Sequence, residues 1–249
     1  MPEASDPFAR LSSLEGVASS MAASRDGIDA LLRDRGLRRS TPDLTGESLL
    51  LGAHASAVLE GEDVSLEEVR AGGGGALARA AVRVSTEVLG QAPVLAGSPL
   101  QVFARLHTLA AKGVAAEEDL GRPRDAAVAA RMTDLGRLLV QPTAAPALVV
   151  AAVLHAELAT VAPFGSHNGL VARAAERLLL VARGVDPASL VVPEAGHLAL
   201  RLEYESNLRG YAEGGTSGVH GWLLYAAEAY AAGAEASPVA TRRRGSGGP

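Results

Sequence analysis

The segment Val161-Ala162-Pro163-Phe164-Gly165-Ser166-His167-Asn168-Gly169-Leu170-Val171-Ala172-Arg173 joins a long apolar stretch to another rich in leucine. A loop at that place presents unpaired backbone N–H groups at the start of a helix. Together with the positive end of the helix dipole, such groups attract an anion. Gly169 would let a ligand approach the backbone closely, and Arg173, one turn on, would add a guanidinium suited to phosphate. The plainer reading of the same residues is a helical turn capped by Asn168, and composition alone favours it. His167 is the loop's one titratable side chain that could act as a base, but no neighbouring carboxylate in the sequence orients it.

Other polar residues carry less chemistry. The histidines at 54, 107, 155, 167, 197 and 220 form no HExxH pattern and no close pair, so no metal site is expected. His155-Ala156-Glu157 imitates the HxE of zinc deaminases, whose partner motif needs cysteines that this chain lacks; a packed core histidine is the simpler role. The serines at 12, 13, 19 and 20 have no nucleophile-elbow context. The run Ala71-Gly72-Gly73-Gly74-Gly75 has no following Gly-Lys-Ser/Thr, which makes it a linker rather than a phosphate cradle.

These residues must be positioned by helices. The chain has 249 residues, 48% of them hydrophobic but only 3% aromatic, and 49 are alanine. A core of Ala, Leu and Val requires closely packed helices, and no stretch alternates as a strand would. Helical patterns cover about 11–37, 44–59, a short piece from Ser65 with the capping pattern Ser65-x-x-Glu68, then 76–90, 99–110, 125–140, 145–161, 168–183, 193–210 and 217–233. Residues 1–10 read as a loose lead-in, and Ser40-Thr41-Pro42-Asp43 as a turn. The organisation expected is an N-terminal helix over 1–39, a helical domain over 40–235 and a disordered basic tail over 236–249 ending in Arg242-Arg243-Arg244.

Composition excludes several classes. Without cysteine there is no disulfide scaffold, thiolate metal site or thiol nucleophile. A net charge of −5 gives no overall basic field, so nucleic acid is not an expected partner. No run is apolar enough for a membrane span, and the acidic start MPEASDPFAR has no hydrophobic leader; a cytoplasmic location is expected.

The 162–173 segment resembles the signature of the Fic (Fido) family of nucleotidyl transferases, HPFx(D/E)GNGRxxR: Pro163, Phe164, Asn168, Gly169 and Arg173 match in register. The flanks are similar too, at Arg105-Leu106-His107, Gly121-Arg122-Pro123-Arg124, 152–158, Tyr204-Glu205-Ser206-Asn207-Leu208 and Gly221-Trp222-Leu223-Leu224. Ser56-Ala57-Val58-Leu59-Glu60-Gly61 fits the family's inhibitory (S/T)xxxE(G/N) motif. The likeness covers roughly 40–233. It implies an all-α, Fido-like helical bundle with an N-terminal inhibitory-type helix, ATP with magnesium as cofactor, and transfer of AMP to a protein hydroxyl. It also implies that Ser56 and Glu60 gate the site, that Glu60 pairs with Arg173, and that Asn168, Gly169 and Arg173 meet the nucleotide. Tyr204 and Asn207 would border its base. A protein partner or target and a homodimer are also in keeping with the family, although nothing in the sequence locates an interface.

The departures set the functional expectation. The position of the family's catalytic histidine is Ala162, and alanine cannot take a proton. Ser166 stands where the family has its acidic metal ligand, His167 where it has a glycine, and Leu170 where it has its first arginine. The segment after 121–124 is too short for the family's β-hairpin flap. A protein of this fold that has lost AMP transfer, and acts as a regulator binding a nucleotide, a phosphate or a protein, is therefore expected. The alternatives are an active transferase using non-standard residues, with His167 as base, and a purely structural helical module.

Overall fold

The structure, a computed structural model, describes residues 6–33 and 41–246, with the backbone alone at Thr41 and 243–246. It is a helical bundle, and the described residues contain no strand. In chain order the helices are α1 (Pro7–Ser12), α2 (Val17–Leu32), α3 (Thr41–Leu59), α4 (Leu66–Arg70), α5 (Ala76–Val88), α6 (Ala92–Leu95) and α7 (Pro99–Ala111). There follow α8 (Ala126–Val140), α9 (Ala147–Val161), α10 (Asn168–Ala182), α11 (Pro193–Ala199), α12 (Arg201–Glu213), α13 (Gly215–Glu235) and α14 (Pro238–Ser246). None is long and apolar enough to cross a membrane among the described residues.

The middle of the bundle is the α9–α10 pair, joined by the loop 162–167. Residues 148–156 of α9 are buried without interruption, as a helix apolar on every side must be. Around this pair, α3 packs on α5 and α11, while α13 packs on α2, α11 and α12. Small residues let these helices touch backbone to backbone. A Cβ on Gly196 of α11 would lie 2.0 Å from the Ala229 carbonyl of α13, and one on Gly218 would lie 2.1 Å from the Gly210 carbonyl of α12. Such contacts explain how an alanine-rich chain with few aromatics fills its core.

Several boundaries differ from the sequence reading. The lead-in is ordered from residue 6: Asp6 caps α1 through Ala9 N–H (3.0 Å) and also receives Thr143 Oγ1 and Ala144 N–H at 2.9 Å, which fastens it to the start of α9. The long first helix is broken at Gly16, whose φ is +75°, and its expected end at 34–37 lies outside the described residues. Thr41–Asp43 forms the first turn of α3 rather than a separate turn, because Pro42 tolerates the missing donor there; Ser40 is not described. The 193–210 helix is split at Leu200. The tail expected to be disordered from 236 is helical over Pro238–Ser246, anchored by the buried Val239. The side chains of Arg243 and Arg244 fall outside the described residues.

The capping box at Ser65 and Glu68 is present, with Ser65 Oγ accepting from Glu68 N–H and Glu68 Oε2 from Ser65 N–H. The glycine run 71–75 is neither a free linker nor a phosphate cradle. Glu62 accepts from the backbone N–H groups of Gly75, Leu77 (2.9 Å) and Ala78 (3.1 Å). A carboxylate of the chain itself therefore fills the anion position at the start of α5.

Candidate functional site

The loop between α9 and α10 is built by two non-glycine residues in left-handed backbone. Ala162 (φ 47°) ends α9 and His167 (φ 57°) precedes α10. Such conformations cost energy and persist where surrounding contacts impose them. Asn168 imposes one: its Oδ1 accepts from Phe164 N–H and its Nδ2 donates to the Phe164 carbonyl, both at 2.9 Å. From the other side, Arg124 donates its backbone N–H to the Pro163 carbonyl and its Nη1 to the Ala162 carbonyl, again at 2.9 Å. The segment 112–125 contains turns and a 3₁₀ turn, Glu117–Asp119, and no hairpin. Beneath the loop, Phe164 stacks on His107 with centroids 4.2 Å apart. Beside it, α8, α9 and α12 enclose a cleft of about 460 Å³ that Arg124, Arg131, Thr160 and Tyr211 help to line.

Arg173 projects from the first turn and a half of α10 into the interior. It is buried, and four hydrogen bonds hold it. Its Nε donates to Ser56 Oγ (3.0 Å), Nη1 to the Tyr204 hydroxyl (3.2 Å), and Nη2 to the Ser56 carbonyl (3.3 Å) and Glu60 Oε1 (2.7 Å). Burial opposes the charge on Arg173, but Tyr204 and Glu60 outweigh it and raise its pKa above the usual value. The Glu60 side chain is 24% exposed and that of Arg173 2%, so solvent reaches the pair from the glutamate end. Glu60 Oε1 lies over Gly169, where a Cβ would meet it at 2.0 Å.

The sequence-predicted residues thus divide. Ser56, Glu60, Gly169 and Arg173 converge. Asn168 spends its side chain on closing the loop, so any contribution to an anion would come from its backbone. His167 is half-buried, and its Nδ1 meets Ser166 Oγ at 2.7 Å, a hydroxyl rather than the carboxylate a general base would use. Burial lowers its pKa, with Glu60 opposing. Tyr204 reaches Arg173; Asn207 instead donates to the Glu203 carbonyl within α12, away from the pair. The Ala162 side chain offers no proton acceptor.

Behind Arg173 lies a polar cluster that sequence reasoning missed. The Glu176 carboxylate, fully buried, meets His155 Nδ1 at 2.8 Å and His197 Nε2 at 2.9 Å through Oε2, and accepts from the Tyr230 hydroxyl (2.8 Å) at Oε1. His155 Nε2 meets the Tyr204 hydroxyl (3.0 Å), and His197 Nδ1 the Tyr225 hydroxyl (2.8 Å). Burial alone would disfavour the Glu176 charge, but the two imidazoles reverse this and hold the carboxyl far below its usual range. His155 is kept neutral by burial, against the pull of Glu176. One donor atom from each of His155, Glu176 and His197 falls within 4.8 Å of the others, a composition seen in metal sites. Every nitrogen and oxygen of the three is already hydrogen-bonded, however, and the spacing of 2.8–2.9 Å is that of hydrogen bonds. A second buried pair, Arg177–Glu194, is bidentate at 2.6–2.8 Å, with Ser48 and Ser189 taking Nη1. The available signal was three charges, Arg173, Glu176 and Arg177, on the same helix as Leu178-Leu179-Leu180.

No family model and no curated protein matches this chain. Solved structures do. A Fic family protein from Desulfovibrio desulfuricans superposes with a TM-score of 0.75 at 20% identity, over 93% of this chain and 76% of that one. Fic-1 from C. elegans, as a fragment, gives 0.72 at 17% identity, over 92% and 73%. The chain has the all-helical Fic fold. Identities this low define the fold and nothing finer.

Proposed function

We propose that the chain is a gated anion-binding regulator: Arg173 receives a phosphate-bearing ligand, a nucleotide foremost, when Glu60 withdraws, and no AMP is transferred. The observation that carries this reading is the Glu60 carboxylate, lying on Gly169 and bonded to Arg173 where an anionic ligand would bind. A carboxylate is the natural placeholder for a phosphate at a guanidinium.

Lost transfer is supported by the loop itself. Ala162 cannot serve as base, Leu170 supplies no second cation, and residues 162–169 include no carboxylate. The Ser166 hydroxyl is already bonded to His167, so these donors do not fit Mg²⁺, which prefers charged oxygens. Removing a general base alone costs about 10²–10⁴ in rate.

The test is calorimetric titration of ATP, with and without magnesium, into the wild type and Glu60→Gly, followed by intact mass of the same samples. Binding that tightens by about tenfold or more in Glu60→Gly, indifferent to magnesium and without a mass gain, is the expected result. A gain matching AMP would overturn the loss of chemistry. No heat in either protein would leave Glu60–Arg173 as a structural brace.

A further inference from the structure

We infer that Tyr204, oriented by the buried His155–Glu176 pair, is a positioning residue that keeps Arg173 aimed at its ligand after Glu60 has left. The inference rests on the reading of Arg173 as an anion receptor and names what makes that receptor rigid.

The direction of each hydrogen bond follows from the two ends of the chain. Arg173 can only donate, so the Tyr204 oxygen accepts from Nη1. The Tyr204 proton is then free to go to His155 Nε2, 3.0 Å away. His155 must therefore carry its own proton on Nδ1, which it donates to Glu176 Oε2. Ionised Glu176 only accepts, and it takes further protons from His197 Nε2 and the Tyr230 hydroxyl. The series Arg173→Tyr204→His155→Glu176 has a single polarity with no group unsatisfied. Hydrogen bonds aligned in this way strengthen one another in a dry interior.

The consequence for Arg173 is geometric. Of its four bonds, the two to Ser56 and the one to Tyr204 do not involve Glu60. Ser56 holds Nε and one edge, and Tyr204 holds Nη1, so the plane of the guanidinium is fixed at both ends. When Glu60 leaves, the Nη2–H that it occupied points at the same place. A ligand then binds without first having to order a flexible arginine. Tyr204 and Glu176 are buried on α12 and α10, and His155 on α9, so the core of the bundle, rather than the loop, sets the aim.

The experiment uses the full chain and inorganic phosphate as probe. Phosphate affinity is measured in Glu60→Gly and in Glu60→Gly with Tyr204→Phe, with helicity and melting temperature as controls. In parallel, the nitrogen-15 shifts of His155 are read in the wild type. The expected results are about tenfold weaker phosphate binding with Phe at 204, from the loss of one hydrogen bond to a charged group, and a His155 protonated on Nδ1. Equal affinity in the two variants, both folded, would overturn the positioning role and leave the anion reading standing. Absence of phosphate binding in Glu60→Gly would instead overturn the anion reading. A His155 carrying its proton on Nε2 overturns the relay in either case, and this measurement needs no variant to fold.

Discussion

Glu60 Oε1 occupies the space of the missing side chain at Gly169: a Cβ there would approach it to 2.0 Å and Arg173 Nη1 to 3.1 Å. The glycine thus belongs to the proposed gate as much as the two charged residues do. Its backbone is ordinary helix, so alanine at 169 would be strained chiefly by the glutamate, whose carboxylate can swing toward solvent, and to a lesser degree by Arg173 Nη1, which must give by a few tenths of an ångström. Gly169→Ala is therefore expected to expel Glu60 while changing stability by less than about 1 kcal/mol, since a helical Gly→Ala gain offsets the lost bridge. A mutant cycle checks this. Glu60→Ala should be destabilising by about 1–2 kcal/mol in the wild type and close to neutral beside Gly169→Ala. Retention of the full effect would show that Glu60 had not moved.

The two partners of the Glu60–Arg173 bridge should respond unequally. Glu60 is partly exposed, and water can replace its contacts; Arg173 is buried with Ser56 and Tyr204 arranged around it. Arg173→Ala leaves those groups without a partner and opens a cavity, for an expected loss of about 3–5 kcal/mol in urea unfolding, against about 1–2 for Glu60→Ala. Equal losses would mean that the bridge, not the socket, holds the arginine.

Much of the fold was legible because local signals dominated it. The 3.6-residue pattern placed α5, α7, α8, α9 and α10 within about two residues, and Ser65-x-x-Glu68 marked a capping box that exists. Ser56, Glu60, Gly169 and Arg173 were found through motif register, and they do meet. What stayed hidden depends on distant parts of the chain. Nothing local told that Glu62 would cross to the start of α5, that His155 and His197 would share Glu176, or that Arg177 would meet Glu194. Such pairings follow from how helices pack: His155, Glu176 and His197 sit on α9, α10 and α11, so no periodicity within one helix relates them. Asn168 too was assigned to the ligand through motif register; its side chain is bonded to the Phe164 backbone, which leaves its own backbone N–H for a ligand.

Gly52 supplies a third test, since α3 passes the Arg177–Glu194 pair there. A Cβ would lie 2.7 Å from Arg177 Nη2 and 2.9 Å from Glu194 Oε2, and neither group can retreat, being buried and bidentate. Gly52→Ala is expected to destabilise by about 1–3 kcal/mol. Gly27→Ala, within α2 and with nothing within 4 Å, is expected to be neutral or to stabilise by up to about 1 kcal/mol. If the two variants melt together, the tight fit at 52 is not real.

His107 should give the protein an acid sensitivity centred on the floor of the loop. It is buried, stacked on Phe164, and accepts from Gly121 N–H at Nδ1 (2.9 Å); Nε2 therefore carries the proton, and it has no partner. Burial first, and the nearby His167 second, lower its pKa from 6.5 to about 4, with Asp119 opposing. Between these values the unfolded chain binds a proton that the folded chain refuses. Stability therefore falls as pH drops from about 6.5 to about 4, and this contribution is flat on either side of that window. His107→Phe can keep the stack but cannot titrate. It should melt lower than the wild type at neutral pH, because Gly121 N–H loses its acceptor, yet show a shallower decline in melting temperature toward pH 4.5. His155, which is not among the groups acting on His107, contributes equally to both proteins, so the difference in slope reports His107 together with its coupling to His167. Parallel slopes would mean that His107 takes up its proton alike in the folded and unfolded chain, giving up its acceptor role toward Gly121 at no cost, and that the loop does not rest on a neutral His107.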